Sequence, residues 1–140
     1  MLFGIAFGFI EAAVVYYLRQ LLGISTAYSQ PNTLFAGAAV VGKVEVAREV
    51  ATILMLVGVA LATSSTWKQK IGAFFITFSL WDLFYYVFLK VLSGWPTSLF
   101  SQDVYFLIPI PWIGPVIIPV VIFSVLLIVG IGLYMPKSRV

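Results

Sequence analysis

Long apolar runs alternate with short polar stretches along the whole chain. Four such runs cover residues 2–22, 44–63, 71–92 and 115–135. A helix of about 20 residues rises about 30 Å, which is the thickness of the hydrocarbon core of a bilayer. The pattern therefore predicts an all-α polytopic membrane protein, with four transmembrane helices in a single transmembrane domain over residues 1–140.

The longest connection lies between the first and second runs, over residues 23–43. Its first half contains Pro31 and several small polar residues, which indicate irregular structure. Its second half is apolar, and a helix that continued through it into the second run would be roughly 46 Å long, too long for a normally tilted span. We therefore expect an interfacial half-helix that breaks near Gly42.

Three prolines lie just before the fourth run and at its first position, at Pro109, Pro111 and Pro115. Each proline lacks a backbone donor and clashes with the preceding helical turn, so a regular helix cannot contain all three. We expect a Pro-rich irregular or re-entrant segment over residues 106–114, with Pro115 in the first turn of the fourth helix.

Composition narrows the chemistry that is open to the chain. Hydrophobic residues make up 62% of it and charged residues 9%, which is far from the composition of a soluble domain. There is no cysteine and no histidine, so disulfides, thiol nucleophiles, imidazole catalysis and the usual ligands of haem, zinc and copper are excluded. We expect no cofactor and no metal. The net charge of +3 comes from scattered bases, which does not predict nucleic-acid binding.

Charged residues nevertheless lie inside the apolar runs. Glu11 and Asp82 lie near the middles of the first and third runs, where an ionisable group is costly unless it is paired. Helix rise places most other charged residues closer to the same membrane face. The sequence predicts a charge network, or an ion or proton site, formed by Glu11, Arg19, Glu45, Arg48, Glu49, Asp82 and Lys90, with possible support from Thr52, Tyr85 and Tyr86.

Small residues recur at four-residue spacing in the first run, at Gly4, Gly8 and Ala12. This spacing places them on one helical face, where they allow another helix to approach closely. The pattern predicts that the first helix packs tightly against a neighbour.

The distribution of bases predicts the orientation in the membrane. The loop over residues 64–70 contains two lysines and no acid, and the residues after Met135 include Lys137 and Arg139 and no acid. Positive loops stay on the cytoplasmic side. We therefore expect a prokaryotic cytoplasmic membrane protein with both termini in the cytoplasm, and the charged cluster in the outer half of the bilayer.

Several short strings carry a resemblance to other proteins. They are Gly8-Phe9-Ile10-Glu11-Ala12-Ala13 with Tyr17-Leu18-Arg19, Arg48-Glu49-Val50-Ala51-Thr52, Trp81-Asp82 with Tyr85-Tyr86, Gly94-Trp95-Pro96 and Pro111-Trp112-Ile113-Gly114-Pro115-Val116. Together they resemble a group of small uncharacterised four-span prokaryotic integral membrane proteins, over nearly the whole chain. This resemblance implies a membrane location and brings no assigned activity with it.

Three functions are open at this point. We expect a non-catalytic structural or accessory subunit of a larger membrane complex, because buried ion pairs often set helix packing and a small bundle favours association in the lipid bilayer with other subunits or with itself. The alternative is a small homo-oligomeric transporter or channel for protons or cations that uses Glu11 and Asp82. A third reading is an enzyme that acts on a lipid or quinone through these carboxylates with Tyr85 or Tyr86.

Overall fold

A computed structural model describes residues 1–21, 39–63, 65–108 and 110–135 of the chain. Its described part is mostly helical, with one small sheet placed before the last helix. The elements in chain order are α1 (Leu2–Leu21), α2 (Ala39–Ala62), α3 (Trp67–Ser93), β1 (Gln102–Phe106), β2 (Trp112–Pro115) and α4 (Ile117–Tyr134).

Three of these helices, α1, α3 and α4, are long and apolar enough to cross a membrane. They fit an integral membrane protein. Among the described residues α2 does not meet the same criterion, although it contains 24 residues, because Lys43, Glu45, Arg48 and Glu49 crowd its first half. The prediction that α2 is a fourth span therefore stays a prediction.

The expected break near Gly42 is wrong. Helix α2 begins at Ala39 and runs through Gly42 to Ala62 without interruption. A helix of this length rises about 36 Å, which a tilted span accommodates, so no break is required. Most of the apolar stretch that we expected to form a half-helix lies outside the described residues.

The all-α prediction is corrected by an antiparallel hairpin that β1 and β2 form between α3 and α4. Asp103 pairs with Gly114 and Val104 with Ile113, and the register shifts between Val104 and Phe106. The prolines exclude a helix here, but they leave the backbone donors of residues 112–114 free for strand pairing.

Two prolines mark the boundary between the hairpin and the last helix. Pro115 ends β2 and does not lie in the first turn of α4, which begins at Ile117. Pro119 lies in that first turn instead. The backbone nitrogens of a first helical turn have no carbonyl partner within the helix, so a proline is tolerated there.

Helix α3 is central and packs closely against α1 and α4. A Cβ atom added at Gly4 would lie 2.7 Å from the carbonyl oxygen of Thr77, and one added at Gly8 would lie 2.7 Å from that of Trp81. Ala12 is fully buried in the same row. The predicted role of this small-residue row in helix packing is confirmed.

Candidate functional site

A partly enclosed cavity of about 130 Å³ lies at the end of the bundle where α1 and α3 end and α2 begins. The three helices and strand β1 form its walls, and it has room for several water molecules. All five acidic residues of the chain line it, together with two arginines: Glu11, Glu45, Glu49, Asp82, Asp103, Arg19 and Arg48.

The guanidinium group of Arg48 joins α1 to α2. Its Nη1 lies 2.5 Å from Oε2 of Glu11, and its Nη2 lies 2.7 Å from Oε2 of Glu45. Its Nε also donates to Oε2 of Glu45, at 3.0 Å. Glu45 and Arg48 are three residues apart on α2, a spacing that places them on one face of the helix. One cation therefore serves two carboxylates from different helices.

Glu49 joins α2 to the hairpin. The backbone nitrogen of Leu107, just after β1, donates to Oε2 of Glu49 at 2.8 Å. Thr52 is buried less than one turn further along α2 and lines the same cavity. The charged half of α2 therefore faces the cavity, as its residue spacing requires.

Asp103 enters the cavity from β1 and is only 4% exposed. The hydroxyl of Tyr86 donates to its Oδ2 at 2.9 Å. Burial raises the pKa of Asp103 to about 6, although this hydrogen bond, the charge of Arg19 and the backbone N–H of Val104 act in the opposite direction. The Asp103 carboxyl group therefore titrates close to neutral pH.

Arg19 is the second base of the cavity and is only 6% exposed. Its guanidinium carbon lies 4.3 Å from the centre of the Trp95 ring, a distance typical of a cation–π contact. Trp95 is positioned by the end of α3, where Gly94 adopts a left-handed conformation with φ of 74°.

Asp82 differs from Glu11 and Glu45 because no cationic group among the described residues contacts it. Its Oδ2 is buried and has no hydrogen-bond partner among the described residues. The charged groups that face it are the carboxylates of Asp103 and Glu11. The indole Nε1 of Trp81, the preceding residue, is also buried without a partner in the described part of the chain. A buried polar group without a partner costs about 1–3 kcal/mol, so these two atoms lower the stability of the fold beside the cavity.

The balance of charge in the cavity is negative. With every group ionised, its described lining residues comprise five carboxylates and two guanidinium groups. Such an excess in a partly enclosed cavity favours protons or a cation that neutralise it. Across the described residues, no three acidic side chains are grouped in a way that could hold one metal ion.

Most of the predicted site residues line this cavity. They are Glu11, Arg19, Glu45, Arg48, Glu49 and Asp82, with the supporting residues Thr52, Tyr85 and Tyr86. Lys90 is not among the cavity residues of the described chain. Its ammonium group donates to the carbonyl oxygens of Gly94 and Pro96, each at 2.8 Å, because at the end of α3 these unpaired carbonyls are nearer.

Asp103 and Trp81 also line the cavity, and sequence reasoning did not include them in the site. The signal for Asp103 was that it is the fifth acid of a chain whose other four acids all fall in the same half of the predicted bilayer.

Comparisons with protein-family models, with curated proteins and with solved structures found no match to this chain.

Proposed function

We propose that this chain is a small membrane transporter that takes up protons or cations in the cavity, with Asp82 as the carboxylate that exchanges them. The observation that carries the proposal is the buried Oδ2 of Asp82, which has no partner among the described residues and faces the carboxylates of Glu11 and Asp103. A proton or a cation is the partner that this group requires.

The acids of the cavity differ in their partners, and this difference supports exchange of protons or cations by Asp82 over a purely structural network. A polar network that only fixes helix packing is most stable when every member is satisfied, because a partly satisfied one is worse than an apolar core. Glu11 and Glu45 are satisfied by Arg48, whereas Asp82 is not. Buried acids that are kept at such a cost are concentrated at functional sites.

We assign different roles to Glu11 and Asp82, the two acids that were predicted from the sequence as carriers. Glu11 is held by Arg48, so we assign it to positioning α1 against α2. With α2 as a fourth span and both termini in the cytoplasm, the cavity would lie in the outer half of a prokaryotic cytoplasmic membrane. Protons or cations would then enter Asp82 from the outer side.

A second candidate, the accessory subunit, is favoured by the outer face of α2. This helix contacts α3 less extensively than α1 or α4 does. Its outward face is an exposed apolar row at helical spacing, formed by Val46, Val50, Leu54, Val57 and Leu61. Another membrane subunit, or a second copy of this chain, could cover that face.

Proteoliposomes test the transport proposal. The purified protein is reconstituted with an internal pH-sensitive dye, and a membrane potential is imposed. We expect the wild type to acidify the lumen, Asp82→Asn to abolish this uptake and Lys68→Gln to retain it, because Lys68 is exposed at the opposite end of α3. Folded Asp82→Asn protein with wild-type uptake would overturn the role of Asp82.

Purification in mild detergent separates the two candidates. A homogeneous particle that contains only this chain and mediates uptake supports the transporter. Stoichiometric copurification of other subunits, with no uptake by the isolated chain, supports the accessory role and contradicts the transporter.

A further inference from the structure

The open end of the β1–β2 hairpin lies level with the start of α4. The backbone nitrogen of Val116, the residue between β2 and α4, donates to the carbonyl oxygen of Ser101, the residue before β1, at 3.0 Å. At the other end of β1, the ring centre of Phe106 lies 6.1 Å from that of Phe78 on α3, and Phe78 contacts Phe123 of α4 with ring centres 4.9 Å apart. The hairpin therefore extends alongside the helices, from the start of α4 as far as Phe123.

Helix rise converts this contact into a depth. Helix α4 has 18 residues and is apolar enough to cross a membrane. It rises about 27 Å, so its first residue, Ile117, lies near one face of the hydrocarbon core. Phe123 follows Ile117 by six residues, which is about 9 Å along the helix axis. The closed end of the hairpin therefore lies about 9 Å inside the hydrocarbon core and not in the water beyond the helix ends.

The surface of this closed end is apolar. Residues 104–116 include no charged side chain. Four of their large apolar side chains are exposed, and we call them the hairpin patch: Ile108, Ile110, Trp112 and Ile113. Exposed apolar side chains of α4 continue the patch along the chain, at Ile118, Ile122 and Val125. Apolar surface of this extent is covered by acyl chains or by another protein.

The backbone of the hairpin is suited to this depth. Non-helical backbone is tolerated at membrane depth only where protein or a water-filled cavity satisfies its polar groups. The two strands pair with each other, and the backbone nitrogen of Leu107 donates to the carboxylate of Glu49 at 2.8 Å. The hydroxyl of Tyr105 donates to the carbonyl oxygen of Pro115 at 2.6 Å. Pro111 and Pro115 have no N–H group that would need an acceptor.

We infer that the hairpin is a re-entrant element of the membrane domain and that acyl chains of the surrounding lipids cover the hairpin patch. Residues 103–107 of the same hairpin line the cavity, so the hairpin separates the charged side chains there from the lipid. Lipid fits the patch better than a protein partner does, because helices and other elements associate in lipid through small residues and hydrogen bonds. The patch consists of three isoleucines and one tryptophan.

Spin labels in lipid vesicles test the inference. The chain contains no cysteine, so one introduced cysteine gives one labelled position. Ile110→Cys probes the patch, and Val125→Cys on the exposed face of α4 is the reference for lipid. Ser65→Cys is the reference for water, because Ser65 is exposed between α2 and α3. Paramagnetic resonance measures how often each label collides with oxygen, which concentrates in hydrocarbon, and with a water-soluble nickel chelate.

We expect the label at position 110 to behave as the label at position 125 does. Oxygen collisions should be frequent, and nickel collisions about tenfold fewer than at position 65, because the polar chelate is excluded from hydrocarbon. Frequent nickel collisions at position 110 would show that the hairpin lies in water and would overturn the inference. Rare collisions with both reagents would show that protein covers the patch, which would also overturn it.

Quenching of tryptophan fluorescence by lipids brominated on their acyl chains is a second measurement, and it needs no label. Trp112 pairs with Phe106 in the hairpin register, so it lies at the same depth. Trp112→Phe should therefore lower the fraction of the emission that these lipids quench. Trp67→Phe is the matched control and should not lower it, because Trp67 is exposed at the first residue of α3, a helix of about 40 Å that extends beyond the hydrocarbon core. An unchanged quenched fraction in Trp112→Phe would contradict the inference.

Discussion

The two halves of α3 differ in how closely they pack against neighbouring elements. Its first half packs closely: a Cβ added at Gly72 would lie 2.8 Å from the carbonyl oxygen of Gly130 on α4, and the hydroxyl of Thr77 donates to the carbonyl oxygen of Ala73 at 2.9 Å. In this half only the buried hydroxyl of Ser79 has no hydrogen-bond partner among the described residues. Its second half contains Trp81 and Asp82, which are lining residues of the cavity. The buried Nε1 of Trp81 and Oδ2 of Asp82 have no partner in the described structure.

This difference indicates that the first half of α3 stabilises the fold and that the second half lowers its stability. Close backbone packing of small residues is the main attraction between helices in lipid, where apolar burial gives no advantage. Unsatisfied polar groups lower stability and occur at sites that bind something. The glycine contacts of the first half of α3 can stabilise the bundle, while its second half retains buried polar atoms without hydrogen-bond partners beside the cavity.

The largest expected effect tests whether the contact between α1 and the charged half of α2 depends on the single cation of Arg48. Arg48→Met leaves the carboxylates of Glu11 and Glu45 buried without their guanidinium partner, so we expect a loss of about 3–5 kcal/mol in the free energy of unfolding. Unfolding in mixed micelles, followed by circular dichroism, measures it. Lys43→Met is the control on the same helix, because Lys43 is exposed, and an equal loss in both variants would contradict the comparison.

The next effect tests the closely packed half. Gly72→Ala places a methyl group against the backbone of α4, and we expect a loss of about 2 kcal/mol in the free energy of unfolding. Gly132→Ala on α4 is the matched control, since an added Cβ meets nothing within 4 Å there. If both variants unfold at the same denaturant concentration, the first half of α3 is not packed as described.

A smaller effect concerns pH and the hairpin. Because burial raises the pKa of Asp103 from 3.8 to about 6, the folded protein binds a proton between these values that the unfolded chain has released. The contribution of this proton to the free energy of unfolding is at its full value below pH 3.8 and is lost as the pH rises through about 6. We expect a loss of roughly 1–1.5 kcal/mol between pH 5 and pH 7.5 that Asp103→Asn lacks. Identical pH profiles for wild type and variant would refute it.

The smallest effect tests the hydrogen bond that ties the hairpin to α3. Tyr86→Phe removes the donor to Oδ2 of Asp103, and we expect it to lower the free energy of unfolding by about 1 kcal/mol. Loss of this donor also raises the pKa of Asp103 further, so the midpoint of the pH-dependent loss should move to higher pH. Tyr17→Phe, at an exposed position of α1, should leave both the stability and the midpoint unchanged.

The sequence alone determined the features that depend on neighbours along the chain. The apolar runs predicted α1, α3 and α4, and the spacing of Gly4 and Gly8 predicted their contact with another helix. Helix rise also predicted that Glu11 and Asp82 lie at similar depth, and the structure brings them to the same cavity. Such features follow from helical periodicity, which is a local property.

Only the tertiary structure decided which charged groups meet. The hairpin packs against helices that are distant along the chain, so no local pattern predicted that Asp103 would enter the cavity. Helix rotation determined that Arg48 reaches Glu11 and that Asp82 is left without a partner in the described structure. Lys90 donates to the carbonyl oxygens of Gly94 and Pro96, because the chain that follows the end of α3 places them within reach. The partner of a buried charge depends on the relative placement of whole elements, which residue order along one helix does not specify.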